Sequence, residues 1–292
     1  MDIGEVIGGG FRILRDRPLA VVAWAVVYLL MYVAMGLWIS SVMPGQIQAM
    51  SDPRAFGAAM AGLVAPFAAF MFLSLVVYVV IFAAVQRAVL KPERQGFFYL
   101  RFGMDELRLL VLTILFLVVY YLVLVGAIVL IAVVASGSRG AAAGLFFLVF
   151  LGAIPFTAWY FVRFGLAFPL TILREKIVIG EAWRISRGRF WPLFAASLVI
   201  VVIMFVLSIV ASSFSNVSYF SDLAQAQGNP AAVQQAMQAQ LARQFGLGAA
   251  SLVRWTLGAV VGAISITLWG GAAATAVRLL TFNPSEIAET FA

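Results

Sequence analysis

The sequence contains no cysteine and no histidine, and these two absences remove much of the chemistry that protein side chains perform. They exclude disulfides, thiol nucleophiles, zinc sites of the usual kind, haem ligation by histidine and histidine-based acid–base catalysis. Charge is also scarce, because Asp, Glu, Lys and Arg make up 11% of the chain, against about a quarter in a soluble domain. Hydrophobic residues make up 64% of the 292 residues, and the mean hydropathy is +1.06. This composition predicts a membrane protein with too little polar sequence for a soluble catalytic domain.

The few acidic residues do not form a recognisable reaction centre. None of the 12 Asp and Glu residues falls in the middle of an apolar run, where an ion-coupled transporter usually keeps an ionisable side chain. Asp105 and Glu106 are adjacent, but Arg101 and Arg108 lie at helical spacing from them, which favours solvated ion pairs over a metal site. The glycine run 8–10 lacks the Gly-Lys-Ser/Thr of a phosphate-binding loop, and we expect it to bring the first helix close to the membrane or to a neighbouring helix. We therefore predict no catalytic residue, no metal, no cofactor and no enzymatic activity.

Six long apolar runs predict an all-α polytopic membrane bundle with six transmembrane helices. The runs lie at about Pro18–Met43, Ala58–Leu90, Glu106–Ala135, Ala141–Pro169, Pro192–Phe214 and Gly248–Thr281. Each is longer than the ~20 residues that a helix needs to cross the hydrocarbon. The first run is too long for the core of a signal peptide and no small-residue cleavage site follows it, so we expect it to be retained. Pro66 and Pro155 lie within runs and predict kinks.

The basic residues predict the orientation of the bundle. Fifteen of the 19 Lys and Arg residues fall on one side of the six-span arrangement, and the exceptions are Arg54, Arg139, Arg243 and Arg254. Basic residues are retained in cytoplasmic loops during insertion, so both termini are predicted to be cytoplasmic. The net charge of +7 has the same explanation: basic residues in the cytoplasmic loops face anionic lipid, and nucleic-acid binding is not needed to account for them.

A threefold internal pattern accompanies this arrangement. Three segments share an aromatic residue, several arginines and an apolar run that follows at once, namely 11–17, 99–108 and 183–189. They predict a single integral membrane domain over 1–292 with three pseudo-repeats, at about 1–95, 96–175 and 176–292, each beginning with a short helix along the membrane interface. Apolar residues fall on one side of a helical wheel in the first two segments: Ile3, Ile7, Phe11 and Leu14, and Phe97, Leu100, Met104 and Leu107.

The arginines of these segments are the candidate ligands for lipid headgroups, since they lie just before or after spans and beside aromatic residues that prefer the same depth. They are Arg12, Arg15, Arg17, Arg101, Arg163, Arg184, Arg187 and Arg189. Two readings stay open for the short helices, which either anchor the following span or recognise a specific lipid or partner. Gly188 follows Arg187 where a helix can end, so Arg189 is expected to point differently from its neighbours.

Two further features concern packing and the outer side. Gly258 and Gly262 form a G-x-x-x-G that serves packing inside the bundle or dimerisation, and Gly270 and Gly271 continue the series of small residues. On the other side, Asn229 and the Pro230 that follows it predict the start of a helix rich in Gln and Ala. This helix either covers the mouth of the bundle or binds a partner.

Part of the chain resembles a known family of membrane domains. Phe161–Leu193 reads FVRFGLAFPLTILREKIVIGEAWRISRGRFWPL, and YLRFGMDELRLL at Tyr99–Leu110 has a similar style. Both resemble the membrane domain fused to some bacterial glycerophosphoryl diester phosphodiesterases and to related six-span proteins. The core of the resemblance falls on Glu181, Ala182, Arg184, Ser186, Gly188, Arg189, Phe190 and Trp191. It implies a six-span fold in the inner membrane of a bacterium, and we transfer no activity because these 292 residues include no phosphodiesterase barrel.

Two functional hypotheses follow from the sequence. In the first, the chain is a non-enzymatic membrane protein that interacts with anionic lipids, with membrane protein partners or with a second copy through its basic cytoplasmic helices. In the second, it is a carrier for a lipid-like or amphipathic molecule. A cavity lined by Ser, Thr, Asn and Tyr would favour the carrier, and a bundle closed by small residues would favour the first hypothesis.

Overall fold

The computed structural model describes residues 2–50, 56–93, 96–226 and 248–281, together with the separate positions 229, 232, 233, 235, 236, 239 and 240. The described parts of these ranges contain helices and connecting turns and no strand. The helices are α1 (Ile3–Asp16), α2 (Pro18–Met50), α3 (Phe56–Leu90), α4 (Met104–Gly137), α5 (Arg139–Phe164), α6 (Ala167–Arg174), α7 (Ile179–Ser186), α8 (Phe190–Ala226) and α9 (Ala249–Thr281).

Six helical segments are long and apolar enough to cross a membrane, so the prediction of an all-α bundle with six spans is confirmed. They are Pro18–Val42, Ala61–Leu90, Met104–Gly137, Ala143–Arg174, Phe190–Ser213 and Ser251–Thr281. Their outward surfaces carry long apolar side chains, such as Leu122 at 66% and Leu148 at 66% exposure, which a water-facing protein would bury. The chain is an integral membrane protein with multiple spans.

The segment before α4 differs from the prediction of a separate short interfacial helix in segment 99–108. Residues 96–99 form a turn, and Phe98 and Tyr99 have positive φ angles of 51° and 62°, which a right-handed helix excludes. The Tyr99 side chain is buried and its hydroxyl donates to the carbonyl of Pro92 at 3.2 Å. Met104–Leu107 therefore belong to the first turn of α4 itself, and among the described residues α1 and α7 are the separate short helices directly ahead of a span.

The fourth predicted span is interrupted near its end. Helix α5 ends at Phe164, and α6 begins at Ala167 after a turn at 165–166. Pro169 accounts for the break, because its ring would clash with the carbonyl of Gly165 if a single helix continued. In α6 the proline lies in the first turn, where its missing amide proton leaves no hydrogen bond unmade.

The chain divides into two compact units. The first contains Met1–Ile13, Phe82–Ile200 and Leu268–Ala292, and the second contains Leu14–Ile81 and Val201–Thr267. Within the second unit, α2 packs antiparallel on the first half of α9. A Cβ atom built on Gly36 would overlap the ring of Trp255, so this glycine makes room for the indole.

Within the first unit, α1 packs closely on the last part of α9. A Cβ on Gly10 would lie 2.7 Å from the Cα of Leu268, and one on Gly271 would lie 2.7 Å from the Cα of Gly10. A Cβ on Gly9 would overlap the side chain of Thr275. Backbones meet here at a distance that only glycine permits, so the glycine run does bring the first helix against a neighbouring helix.

Helix α1 has one apolar face on the protein and another that the described residues leave uncovered. Val6, Gly9, Gly10 and Ile13 are buried. The predicted stripe lies on a different side, where Ile3 and Phe11 are 36% and 44% exposed.

The helix predicted after Asn229 lies mostly outside the described residues. Positions 232, 233, 235, 236, 239 and 240 are helical, and the amide of Val233 donates to the carbonyl of Asn229 at 2.9 Å.

Candidate functional site

The candidate site is the basic turn at residues 184–189, which connects α7 to α8 in the first unit. The position of α7 is set by ion pairs on the segment before it. Lys91 at the end of α3 pairs with Glu175 at 2.6 Å, and Arg174 pairs with Glu181 of α7 at 2.8 Å. Glu175 has a left-handed backbone with a φ of 53°, which reverses the chain after α6. The second pair attaches α7 to α6, and the first attaches the connection between these two helices to the end of α3.

Arg163 of α5 fixes the inner face of α7. Its Nη1 donates to the Oγ of buried Ser186 at 3.2 Å, and its guanidinium lies 5.1 Å from the centroid of the Trp183 ring. Ala182, one turn before Ser186, is also fully buried. A cation over an indole contributes about 0.5–1 kcal/mol at an exposed site and more where water is excluded. Arg163 was predicted to bind headgroups, and the structure places it in these internal contacts.

The outer face of α7 and the following turn carry three exposed arginines. The chain leaves the helix through Arg187 and then Gly188, whose φ is +78°, and the amide of Arg189 donates to the carbonyl of Ser186 at 3.2 Å. Arg184, Arg187 and Arg189 are exposed, and within the described ranges none of them has a hydrogen bond or an ion pair through its side chain. We call these three residues the arginine turn.

Exposed aromatic side chains accompany the arginine turn. Trp183 is 40% exposed and Trp191 is 73% exposed. Tryptophan prefers the boundary between headgroups and hydrocarbon, where its ring is apolar and its N–H remains solvated. The cations and the indoles thus lie together where two helices meet.

The remaining predicted headgroup residues lie on other segments. Arg12 and Arg101 are exposed, whereas Arg17 is half-buried. Arg15 is exposed, and its Nε donates to a carboxylate oxygen of Asp16 at 3.0 Å. The structure therefore gathers three of the eight predicted residues, Arg184, Arg187 and Arg189, into one turn, and places the others separately.

The sequence did not predict the buried ion pair between Glu106 and Arg87. Glu106 was predicted to be solvated, but its side chain is 5% exposed and pairs with Arg87 of α3, whose side chain is 2% exposed. The second carboxylate oxygen of Glu106 accepts the amide proton of Gly103 at 3.0 Å. Only Asp105 makes the expected local pair, with Arg108 at 3.1 Å. The one sequence feature that pointed to this pair was the position of Arg87 inside the apolar end of a helix. Spacing along the chain could not identify Glu106 as its partner.

The G-x-x-x-G of α9 faces two tyrosines of α2 within the second unit. Cβ atoms on Gly258 and Gly262 would lie 3.5 Å from the ring of Tyr32 and 3.8 Å from that of Tyr28. These are ordinary contact distances, so the two glycines lie under aromatic rings rather than against a second backbone.

The described residues offer no group of three or more Asp or Glu side chains that could hold a metal ion. The chain matches no model of a known protein family, no curated protein and no solved structure. A functional conclusion must therefore come from the residues themselves.

Proposed function

We propose that this chain is a non-enzymatic membrane protein that binds anionic lipid headgroups through its arginine turn and through Arg12 of helix α1. The observation that carries the proposal is the exposure of three arginines between two spans with no acidic partner among the described side chains. Arginine in such a position is expected to find its anion outside the protein, and phosphate suits its planar donors.

The surroundings of the arginine turn support a lipid over a soluble anion. Trp183 and Trp191 expose apolar rings next to the cations, as residues at the membrane boundary do. Helix α1 similarly leaves Ile3 and Phe11 exposed beside Arg12. Near an anionic leaflet each basic residue gains about 1 kcal/mol, so the arginine turn contributes roughly 3 kcal/mol before losses.

The packing of the bundle supports this proposal over a carrier for polar molecules. The first unit is closed by glycines of α1 and α9 that bring backbones together. The described groove in this unit is lined almost entirely by hydrocarbon side chains, with Ser197 as its one hydroxyl. A carrier of polar solutes needs convergent polar groups in its cavity.

The experiment compares lipids retained by the purified protein and by a variant with Arg184, Arg187 and Arg189 changed to Gln. Native mass spectrometry counts phosphatidylglycerol and phosphatidylcholine bound from mixed micelles. We expect phosphatidylglycerol enrichment in the wild type and at least about a tenfold loss in the variant, since tenfold corresponds to about 1.4 kcal/mol.

A matched control removes the same charge elsewhere. The variant with Arg54, Arg139 and Arg243 changed to Gln loses three positive charges on the side predicted to be opposite, and it should keep the enrichment. Equal retention of phosphatidylglycerol by the wild type and the arginine-turn variant, with both folded, would contradict the proposal.

A further inference from the structure

Arg163, near the end of α5, is a half-buried cation that has no ion pair with the carboxylates the structure describes. The other buried or half-buried basic side chains described in the first unit each pair with an acid. They are Arg87 with Glu106, Lys91 with Glu175 and Arg108 with Asp105. Taking a charge out of water without a counter-ion is costly, so Arg163 is expected to find its anion outside these residues.

Two contacts fix the guanidinium of Arg163. Its Nη1 donates to the Oγ of Ser186 at 3.2 Å, and its central carbon lies 5.1 Å from the centroid of the Trp183 ring. Neither Nε nor Nη2 has a hydrogen-bond partner among the described residues. Nε is enclosed, whereas Nη2 keeps accessible surface. Arg163 therefore offers an outside anion a full charge and a free donor, in an orientation that α7 holds.

Exposed indoles lie beside this cation. Trp183 is 40% exposed, and Trp159, one turn before Arg163 on α5, is 37% exposed. The two indoles are in edge-to-face contact with their centroids 5.6 Å apart, and Phe164 also contacts Trp183 at 5.6 Å. Residues four apart share one side of a helix, so Trp159 and Arg163 lie on the same side of α5. A cation and an apolar aromatic surface thus lie together where α5 meets α7.

The order of these groups along α5 matches the order of groups in a phospholipid. A helix needs about 20 residues to cross the hydrocarbon, so α5, which begins at Arg139, leaves the hydrocarbon near Trp159. Arg163 lies about 6 Å further along at 1.5 Å per residue, which places it at the depth of the headgroups. A phosphate at Arg163 would therefore have its glycerol and first acyl carbons at the level of Trp159.

On the basis of the proposed function, we infer that Arg163 binds the phosphate of one anionic glycerophospholipid whose glycerol end lies against Trp159 and Trp183. Guanidinium and phosphate are matched in charge and in the geometry of their hydrogen bonds. Glu181, the acid of α7, already pairs with Arg174, so this helix offers no free carboxylate to the cationic headgroup of phosphatidylcholine. A soluble phosphate would meet the cation but would leave both indoles exposed. The arginine turn supplies a general attraction, and Arg163 supplies a single defined site.

The first test uses wild-type protein in nanodiscs with phosphatidylglycerol that carries a photoreactive diazirine at the glycerol end of one acyl chain. Phosphatidylcholine with the same chain serves as the comparison. We expect cross-links from phosphatidylglycerol to Trp159 and Trp183 to exceed those from phosphatidylcholine about tenfold, which corresponds to about 1.4 kcal/mol. Phe146 and Phe147, which are exposed in the first half of α5, should be labelled equally by both lipids.

Variants test the role of the cation itself. Arg163→Gln, checked for folding by its unfolding midpoint, should label the two indoles equally with both lipids and lose one phosphatidylglycerol in native mass spectrometry. Arg278→Gln removes the same charge at an exposed position of α9 and should keep the preference. The arginine-turn variant should retain less phosphatidylglycerol in total and still show the preference at the indoles. The comparison of the two lipids on the wild type does not depend on the folding of any variant.

The outcomes separate this site from the proposed function. If the arginine-turn variant loses phosphatidylglycerol but both lipids label the indoles of the wild type equally, the proposed function stands and the site at Arg163 is overturned. If the preference at the indoles is present but the arginine-turn variant retains all its lipid, the site stands and the role proposed for the arginine turn fails. Loss of the preference in excess inorganic phosphate, but not in sodium chloride of equal ionic strength, would assign the site to a soluble phosphate and overturn the inference.

Discussion

Neutralising Glu106 tests whether the buried ion pair holds α3 to α4. The change Glu106→Gln removes the negative charge and keeps a carbonyl oxygen that can still accept the amide of Gly103, so the start of α4 is preserved. The change removes the negative charge that pairs with Arg87, whose side chain is 2% exposed. Breaking a buried pair by removing one partner destabilises a protein by about 3–5 kcal/mol.

The expected loss is measurable as a lower midpoint of thermal unfolding in detergent. For a chain of this size 1 kcal/mol corresponds to roughly 2 °C, so the midpoint should fall by at least about 6 °C. The double variant Arg87→Met with Glu106→Gln removes both charges. It should recover most of the lost stability, because replacing both partners leaves no unpaired buried charge.

The neighbouring carboxylate gives a matched control. Asp105→Asn neutralises an acid in the same turn of α4, but the Asp105–Arg108 pair is more exposed and local, so the loss should stay below about 1 kcal/mol. The reasoning is refuted if Asp105→Asn lowers the midpoint as much as Glu106→Gln. It is also refuted if the double variant is as unstable as the sum of its single changes.

Three further predictions concern packing and topology. Gly10→Ala places a Cβ against the backbone of α9 and should destabilise the protein by about 1–3 kcal/mol in the same unfolding assay. Gly8→Ala, which has open space around it, should leave the stability unchanged or raise it. Equal effects of the two changes would contradict the close approach of α1 to α9. Gly262→Ala should leave the unfolding midpoint unchanged, and also the oligomeric state measured by size-exclusion chromatography, because the added Cβ has room beside Tyr28. A change of oligomeric state would indicate that Gly262 lies in a dimer contact. Reporter fusions at Ala292 and Gln227 should report opposite sides of the membrane, with Ala292 cytoplasmic, and a periplasmic signal at Ala292 would disprove the predicted orientation.

The spans could be read from the sequence because crossing a membrane is a property of a continuous segment. Hydrocarbon requires about 20 apolar residues in a row, and hydropathy along the chain shows where they are. The predicted run Pro18–Met43 corresponds to the observed span Pro18–Val42, and Gly248–Thr281 to Ser251–Thr281. Position along the chain was sufficient for this part of the fold.

Contacts between distant segments could not be read in the same way. Arg101 and Arg108 were the arginines at helical spacing from Glu106, yet its partner is Arg87, on another helix. Gly258 and Gly262 matched a known packing motif, whereas the glycine of α9 that lies against another backbone is Gly271. Which glycine meets another backbone depends on the register between two helices, and that register cannot be read from the sequence of one helix alone.

The same limit applied to the candidate site. The arginines at 184, 187 and 189 were identified from their position before a span, and Gly188 was recognised as the point where the helix ends. The internal role of Arg163 was not foreseen, because it depends on the placement of Ser186 and Trp183 next to the end of α5.

The contact between α1 and α9 has a consequence for how the protein is made. The ribosome delivers Gly10 long before Gly271, and at about 5–20 residues per second the two are separated by roughly 13 to 50 s. Throughout that interval, in which the spans before α9 are synthesised, the glycine face of α1 lacks its partner on α9. An amphipathic helix of this kind can wait on the surface of the bilayer. Helix α1 thus emerges before α9 but docks only once α9 has been made, and any chain that stops before α9 leaves it undocked.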